Sequence, residues 1–154
     1  MSQISRRLFV FAIAFTVLIA GPAFLDSAFG PYPLMKWGDV LDILTPLILL
    51  PLYWGIFRST NEVPPSPREM VAFVLLAALW VEGQGMHLAA NSIGHLAPSG
   101  DAGQLTHFYD EVLSHYLWHL GVIGLASLIL YRHWRTRLSG EFSWGTIIPA
   151  GIIH

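Results

Sequence analysis

Apolar residues dominate four runs, at about 8–25, 40–57, 68–96 and 106–131, and most charged and proline residues lie outside them. Each run reaches the roughly 20 residues a helix needs to cross a bilayer's ~30 Å hydrocarbon core. The pattern predicts an all-α, multipass transmembrane helical bundle with four full spans, forming one integral membrane domain over 1–154. A last apolar segment at 141–154 is too short to cross comfortably. It reads as a partial fifth span, either cut short or re-entrant.

The joints carry their own signals. Residues 26–39 include Gly30-Pro31-Tyr32-Pro33, a turn-rich connector, with Tyr32 and Trp37 suited to interfacial depth. Pro46 and Pro51 predict kinks in the second run, and Asp42, near the outer end of that run, reads as a headgroup-level charge. After the Pro64-Pro65 linker, Ser66 is placed to cap the third helix, with Pro67 at its first position and Glu69 adding negative charge to its first turn. Residues 98–106 read as a polar loop, so that the third and fourth helices fold back on each other about Gly103.

Composition agrees with a membrane setting. The chain is 54% hydrophobic and only 12% charged, with a mean hydropathy of +0.55. A soluble domain carries about 25% charged residues, so too few are present to coat a water-facing surface. The net charge of −2 comes with no basic cluster able to track a phosphate backbone, which excludes nucleic acid as a partner. Cysteine is absent, which rules out disulfides and thiolate metal sites. Arg6-Arg7 ahead of the first run, and Ala20-Gly21-Pro22-Ala23 within it, also suit a signal peptide; the run's length favours a retained helix.

Basic residues set the orientation. Arg6, Arg7, Arg58, Arg68, Arg132, Arg135 and Arg137 fall on one face of a four-span bundle, and only Lys36 falls on the other. Positive residues favour the cytoplasm. The amino terminus is therefore expected inside the plasma membrane and the 98–106 loop outside.

The candidate chemistry is concentrated at 82–121, which holds five of the seven histidines. Positions four apart stack along one helix face, so His87, Asn91 and His95 form one polar stripe and Glu111, His115 and His119 another. Folding about Gly103 would level His95 with Glu111, Asn91 with His115, and His87 with His119. Ionisable groups at membrane depth cost ~2.5–3.5 kcal/mol each on insertion scales. Interhelical hydrogen bonding returns only ~0.6 kcal/mol on average, which favours a functional site over structural glue.

A metal site uses these residue types best. Imidazole and carboxylate are ligands for zinc and iron when thiolate is unavailable. His115 and His119, at i and i+4, are spaced to grip one ion, with His87 supplying a third ligand. His95 lies ~12 Å along the helix from His87 and instead joins Glu111 and His107 in an upper cluster or a second metal. Asp110, Glu111 and Asn91 are the candidate catalytic or ligand-orienting groups. Glu82 points about 140° away from the His87 stripe, toward a different helix. Gly83, Gly85 and Gly94 permit close helix approach. Ser92 and Ser114 read as backbone-bonded membrane serines, and His133 as a solvated residue.

Asp110-Glu111 followed by His115-Tyr116-Leu117-Trp118-His119 resembles motifs of the alkaline ceramidase-like membrane hydrolases, the CREST superfamily. That resemblance implies a zinc-activated water attacking an amide, His115 and His119 as ligands, and Asp110 near the water. The family spreads its motifs over separated helices of seven, whereas here two neighbouring spans carry them, and Asn91 stands where the family has serine, four residues before His95. The leading expectation is a zinc-dependent hydrolase acting on a lipid-like or amide substrate from the outer side of the bilayer. The alternatives are a membrane di-iron oxygenase, a haem-binding or electron-transfer subunit with His87 and His119 as axial ligands, and a histidine-lined proton or metal-ion pathway.

Overall fold

The computed structural model describes residues 3–59, 63–96 and 98–135. They form an all-α bundle: α1 (Gln3–Ala20), a 3-10 turn (Gly21–Phe24), α2 (Trp37–Ser59), α3 (Pro67–Leu96), α4 (Gly100–Phe108), a π-helical turn (Tyr109–Leu113) and α5 (Ser114–Arg135). Four helical stretches are long and apolar enough to cross a membrane, the fourth running continuously from Gly100 through the π turn to Trp134. This is the architecture of an integral membrane protein, and the four spans match the four apolar runs. The segment at 141–154 lies outside the described residues.

The ends of the helices follow from local chemistry. The Ser66 hydroxyl accepts from the Glu69 amide at 3.3 Å, and the Ser66 amide donates back to Glu69 Oε2 at 2.7 Å. This reciprocal capping box starts α3 at Pro67, whose missing N–H is not needed there. The connector from α1 to α2 is closed by an isolated bridge between Ala28 and Lys36, an ion pair from Lys36 to Asp26 at 2.5 Å, and an edge-on contact of Phe29 with Trp37. The 23-residue α2 runs unbroken through Pro46 and Pro51.

One expectation is corrected at the fold-back between the third and fourth spans. Among the described residues there, only 98 and 99 stand outside the helices, and Gly103 is already inside α4. Gly100 opens α4 at a φ of 74°, a left-handed conformation natural to glycine. The reversal therefore occurs near residue 99 and not at 103. Because a displaced hairpin turn moves the pairing of its arms by twice the displacement, the register of α3 against α5 slips by about two helical turns.

Packing is tightest between α3 and α5. A Cβ at Gly83 would collide with the backbone of Trp118 and Ser114, and one at Gly121 with the backbone of Trp80 and Leu76. These are two points of direct backbone approach, as small residues allow between membrane helices. Trp80, Phe57, Leu49 and Leu125 are fully buried around them. Tyr53 meets Trp80 edge-on at 5.7 Å and Phe11 at 4.4 Å, which joins α1 and α2 to this core. At the opposite end from Gly100, buried Arg132 pairs with Glu69 at 2.7 Å, donates to the Val63 carbonyl at 3.1 Å, and lies over the Phe57 ring.

Candidate functional site

The backbone contact at Gly83 sets what happens one turn further along α3. His87, on the same face, is brought against the π turn and the start of α5 instead of against His119. Its Nδ1 lies 2.6 Å from Asp110 Oδ1. The approach is not directed as a hydrogen bond, and both atoms are buried with no hydrogen-bond partner. His115 stands edge-on to His87, with ring centroids 5.2 Å apart, and His119 follows at 5.7 Å from His115. The structure thus brings together His87, Asp110 and His115, with His119 next in the row.

The π turn accounts for the placement of Asp110. Ser114 N–H bonds back to the Tyr109 carbonyl, five residues earlier, so the turn holds one residue more than an α-helix would. The extra residue rotates Asp110 toward α3. Its carbonyl receives both the Ser114 hydroxyl, in a short contact, and His115 Nδ1 at 2.8 Å. A carbonyl accepts only, so His115 Nδ1 carries a proton, and in the neutral ring Nε2 is the nitrogen with the lone pair. One aspartate therefore touches both histidines, His87 through its carboxylate and His115 through its backbone oxygen. The Ser114 contact also fits the expected backbone-bonded role.

The remaining expected site residues are placed less centrally. His95 and Glu111 are both exposed, and no ion pair joins them among the described residues. Asn91 is half-buried and makes no hydrogen bond to His115. His119 is exposed and stacks on Trp118 at 5.2 Å instead of meeting His87. All three of these level pairings depended on a turn at Gly103, and the earlier turn dissolves them. Among the described residues, no group of three or more histidine or acidic side chains is arranged to hold a metal ion.

Two polar residues extend the site beyond the stripes. Buried Gln84 donates from Nε2 to Asp42 Oδ1 of α2 at 3.3 Å. Asp42 therefore turns toward α3 and is tied into the bundle, where it was expected at the headgroups. Gln84 precedes His87 by three positions, the spacing of one helix face, and that spacing was the signal available for it. The Gln84 Oε1, Trp80 Nε1 and Trp118 Nε1 atoms are buried without partners as well. Unpaired buried polar atoms are uncommon and mark sites of water, ions or chemistry.

Comparison of the chain with protein-family models, with characterised proteins and with solved structures finds no match.

Proposed function

We propose that this chain is an integral membrane metalloprotein that binds a divalent ion, zinc in the first instance, at His87, Asp110 and His115, and uses it hydrolytically. The observation that carries the reading is the His87–Asp110 contact: a nitrogen and a carboxylate oxygen, both buried and both lacking a hydrogen bond, 2.6 Å apart. Two ligands bound to one zinc at ~2.0–2.1 Å and a tetrahedral angle lie ~3.3 Å apart. Opening the pair by under an ångström would convert it to half of a zinc site. His115 suits the third position, since its Nδ1 contact with the Asp110 carbonyl leaves Nε2 as the lone-pair nitrogen. His119 is the reserve ligand and reaches the centre only by leaving Trp118.

A bound zinc would lower the pKa of its water toward ~7 and polarise a carbonyl. Exposed Glu111, next to Asp110, would take the proton from that water. The Asp110-Glu111 and His115 to His119 elements that resemble the alkaline ceramidase-like hydrolases lead to the same chemistry, with an amide or lipid-like substrate. The excess of arginine at the Arg132 end supports an orientation with that end in the cytoplasm of a plasma-membrane protein and substrate reaching the site from the outer side. Direct backbone packing at Gly83 and Gly121 leaves no gap for a porphyrin between α3 and α5, which disfavours haem between His87 and His119. The row of three imidazoles supports one rival, a proton pathway.

Elemental analysis of gently purified protein separates the two. Near-stoichiometric zinc that is lost in His87→Ala and retained in His133→Ala supports the metal centre. Metal-free protein that takes up no added zinc, yet conducts protons in liposomes, overturns it. Hydrolysis of amide-linked lipids by the zinc-loaded protein then tests the reaction.

A further inference from the structure

The seam of α3 that faces α5 is not its only one. On the other side, Val71, Leu75, Ala78, Glu82, Gly85 and Ala89 are all exposed. Their spacing of four, three, four, three and four is the heptad interval by which one helix packs along another with a slight left-handed crossing. Three of the six are small, and the space where a Gly85 Cβ would stand is open. In the middle of this seam lies a carboxylate. Glu82 sits at the midpoint of the 30-residue α3, about 22 Å from either end at ~1.5 Å per residue. That is the depth of the bilayer centre, where an acidic side chain facing lipid is costly and normally finds a partner. No hydrogen bond or ion pair reaches Glu82 from the described residues.

We infer that this seam is a homodimer interface, in which two copies of α3 pack in parallel and the Glu82 side chains meet on the two-fold axis. Charge complementarity selects the occupant. At this depth the described spans offer no arginine or lysine: Arg132 pairs with Glu69, and Arg7 donates to the Gly55 carbonyl, both toward the ends of the bundle, while the imidazole level with Glu82, His119, lies on α5 and stacks on Trp118. A carboxylic acid is complementary to itself once one proton is shared, since one group donates and the other accepts. Copies inserted in the same orientation are related by an axis along the membrane normal, so residue 82 meets residue 82 and the same patch serves both sides. The small side chains at 78, 85 and 89 let the two backbones come close around that contact.

The native chain has no cysteine, so single-cysteine variants report proximity without background. In proteoliposomes at low protein density, Ala78→Cys and Gly85→Cys should form disulfide-linked dimers rapidly on mild oxidation. Tyr116→Cys, exposed on α5, should not. Glu82→Gln should keep the dimer, because paired amides also donate and accept. Glu82→Leu should weaken dimerisation about tenfold in the dissociation constant, a scale in keeping with intramembrane polar contacts of ~1–2 kcal/mol. Equal cross-linking at Tyr116→Cys, undiminished dimerisation of Glu82→Leu, or cross-linking only within one chain or to a different protein would each overturn the proposal.

Discussion

His87 of α3 and Asp110 of the π turn lie 2.6 Å apart, and the contact satisfies neither atom as a hydrogen bond. Such a pair holds two ligand atoms ready in a contact not directed as a hydrogen bond, and a buried polar atom without one is destabilising by ~1–3 kcal/mol. The first prediction is an inverse relation between stability and binding. His87→Leu paired with Asp110→Leu should raise the unfolding temperature of the metal-free protein in detergent while abolishing zinc binding. Native protein should gain stability on adding zinc, and the double variant should not. An equal response of both proteins to zinc sinks the assignment of these ligands.

The π turn gives a second test, independent of side-chain chemistry. Deleting Val112 removes the extra residue of Tyr109–Leu113 and returns the segment to regular α-helix. Asp110 then rotates by ~100° relative to α5, away from His87. Circular dichroism should show helicity kept, while zinc affinity falls ~10–100-fold or more, the range seen when the groups that orient metal ligands are lost. Retained affinity in the deletion variant would show that the turn does not aim Asp110.

How much of this was readable beforehand divides cleanly along physical lines. Spans were legible because burial in lipid demands about 20 apolar residues, a requirement any sequence displays openly. The cap at Ser66 and the close approach at Gly83 were legible because each depends on the residue itself. The pairing of α3 with α5 was not, because it hinges on where a short turn falls. Gly100 and Gly103 both offered a turn, and choosing the later one moved His87 from Asp110 to His119. The π turn was invisible for the same reason: nothing in Tyr-Asp-Glu-Val-Leu distinguishes five residues in a wide turn from five in a regular one. Asp42 was missed because its partner, Gln84, carries no charge to announce the site.

A third prediction concerns the helix contact that positions the site. Gly83 and Gly121 each face backbone atoms that cannot move aside as a side-chain tip can. Gly83→Ala should cost about 1–3 kcal/mol through overpacking, and Gly121→Ala a similar amount. Gly85→Ala meets nothing among the described residues and should leave the unfolding temperature of the monomer unchanged. A native-like unfolding temperature for Gly83→Ala contradicts the close approach.

The connector offers a pH prediction. Lys36, hydrogen-bonded and close in charge to Asp26, holds that carboxyl below its ordinary value, and Asp26 in turn raises Lys36. For Asp26 the stabilising effect is present above its unfolded pKa and is lost as the pH falls through the lowered one. For Lys36 it is present below its unfolded pKa and is lost as the pH rises through the raised one. The clip is therefore intact between ~pH 4 and ~pH 10, and opens only outside that window. Asp26→Asn should return the Lys36 titration, followed by NMR of the labelled ammonium, toward the ordinary lysine value. An unchanged Lys36 titration removes the pair.

Arg132 and Glu69 provide the last prediction, in which the two halves of one ion pair are not equivalent. Both are largely withdrawn from solvent, with side-chain exposures of 2% and 17%, and breaking a buried pair by removing one member costs ~3–5 kcal/mol. Glu69 does a second job: its carboxylate also accepts the Ser66 amide in the capping box of α3. Arg132→Met leaves that box intact and leaves a carboxylate at a helix N-terminus, where the dipole favours it. Glu69→Leu instead takes the carboxylate away from a buried guanidinium that lies over the Phe57 ring, and removes the cap as well. Glu69→Leu should therefore lower the unfolding temperature more than Arg132→Met does. The double variant should recover most of the loss, short of native by the ~1 kcal/mol typical of a lost cap. If the two single variants fall equally and the double shows simple addition of their losses, the pair contributes no coupling and α5 is anchored to α3 by apolar packing alone.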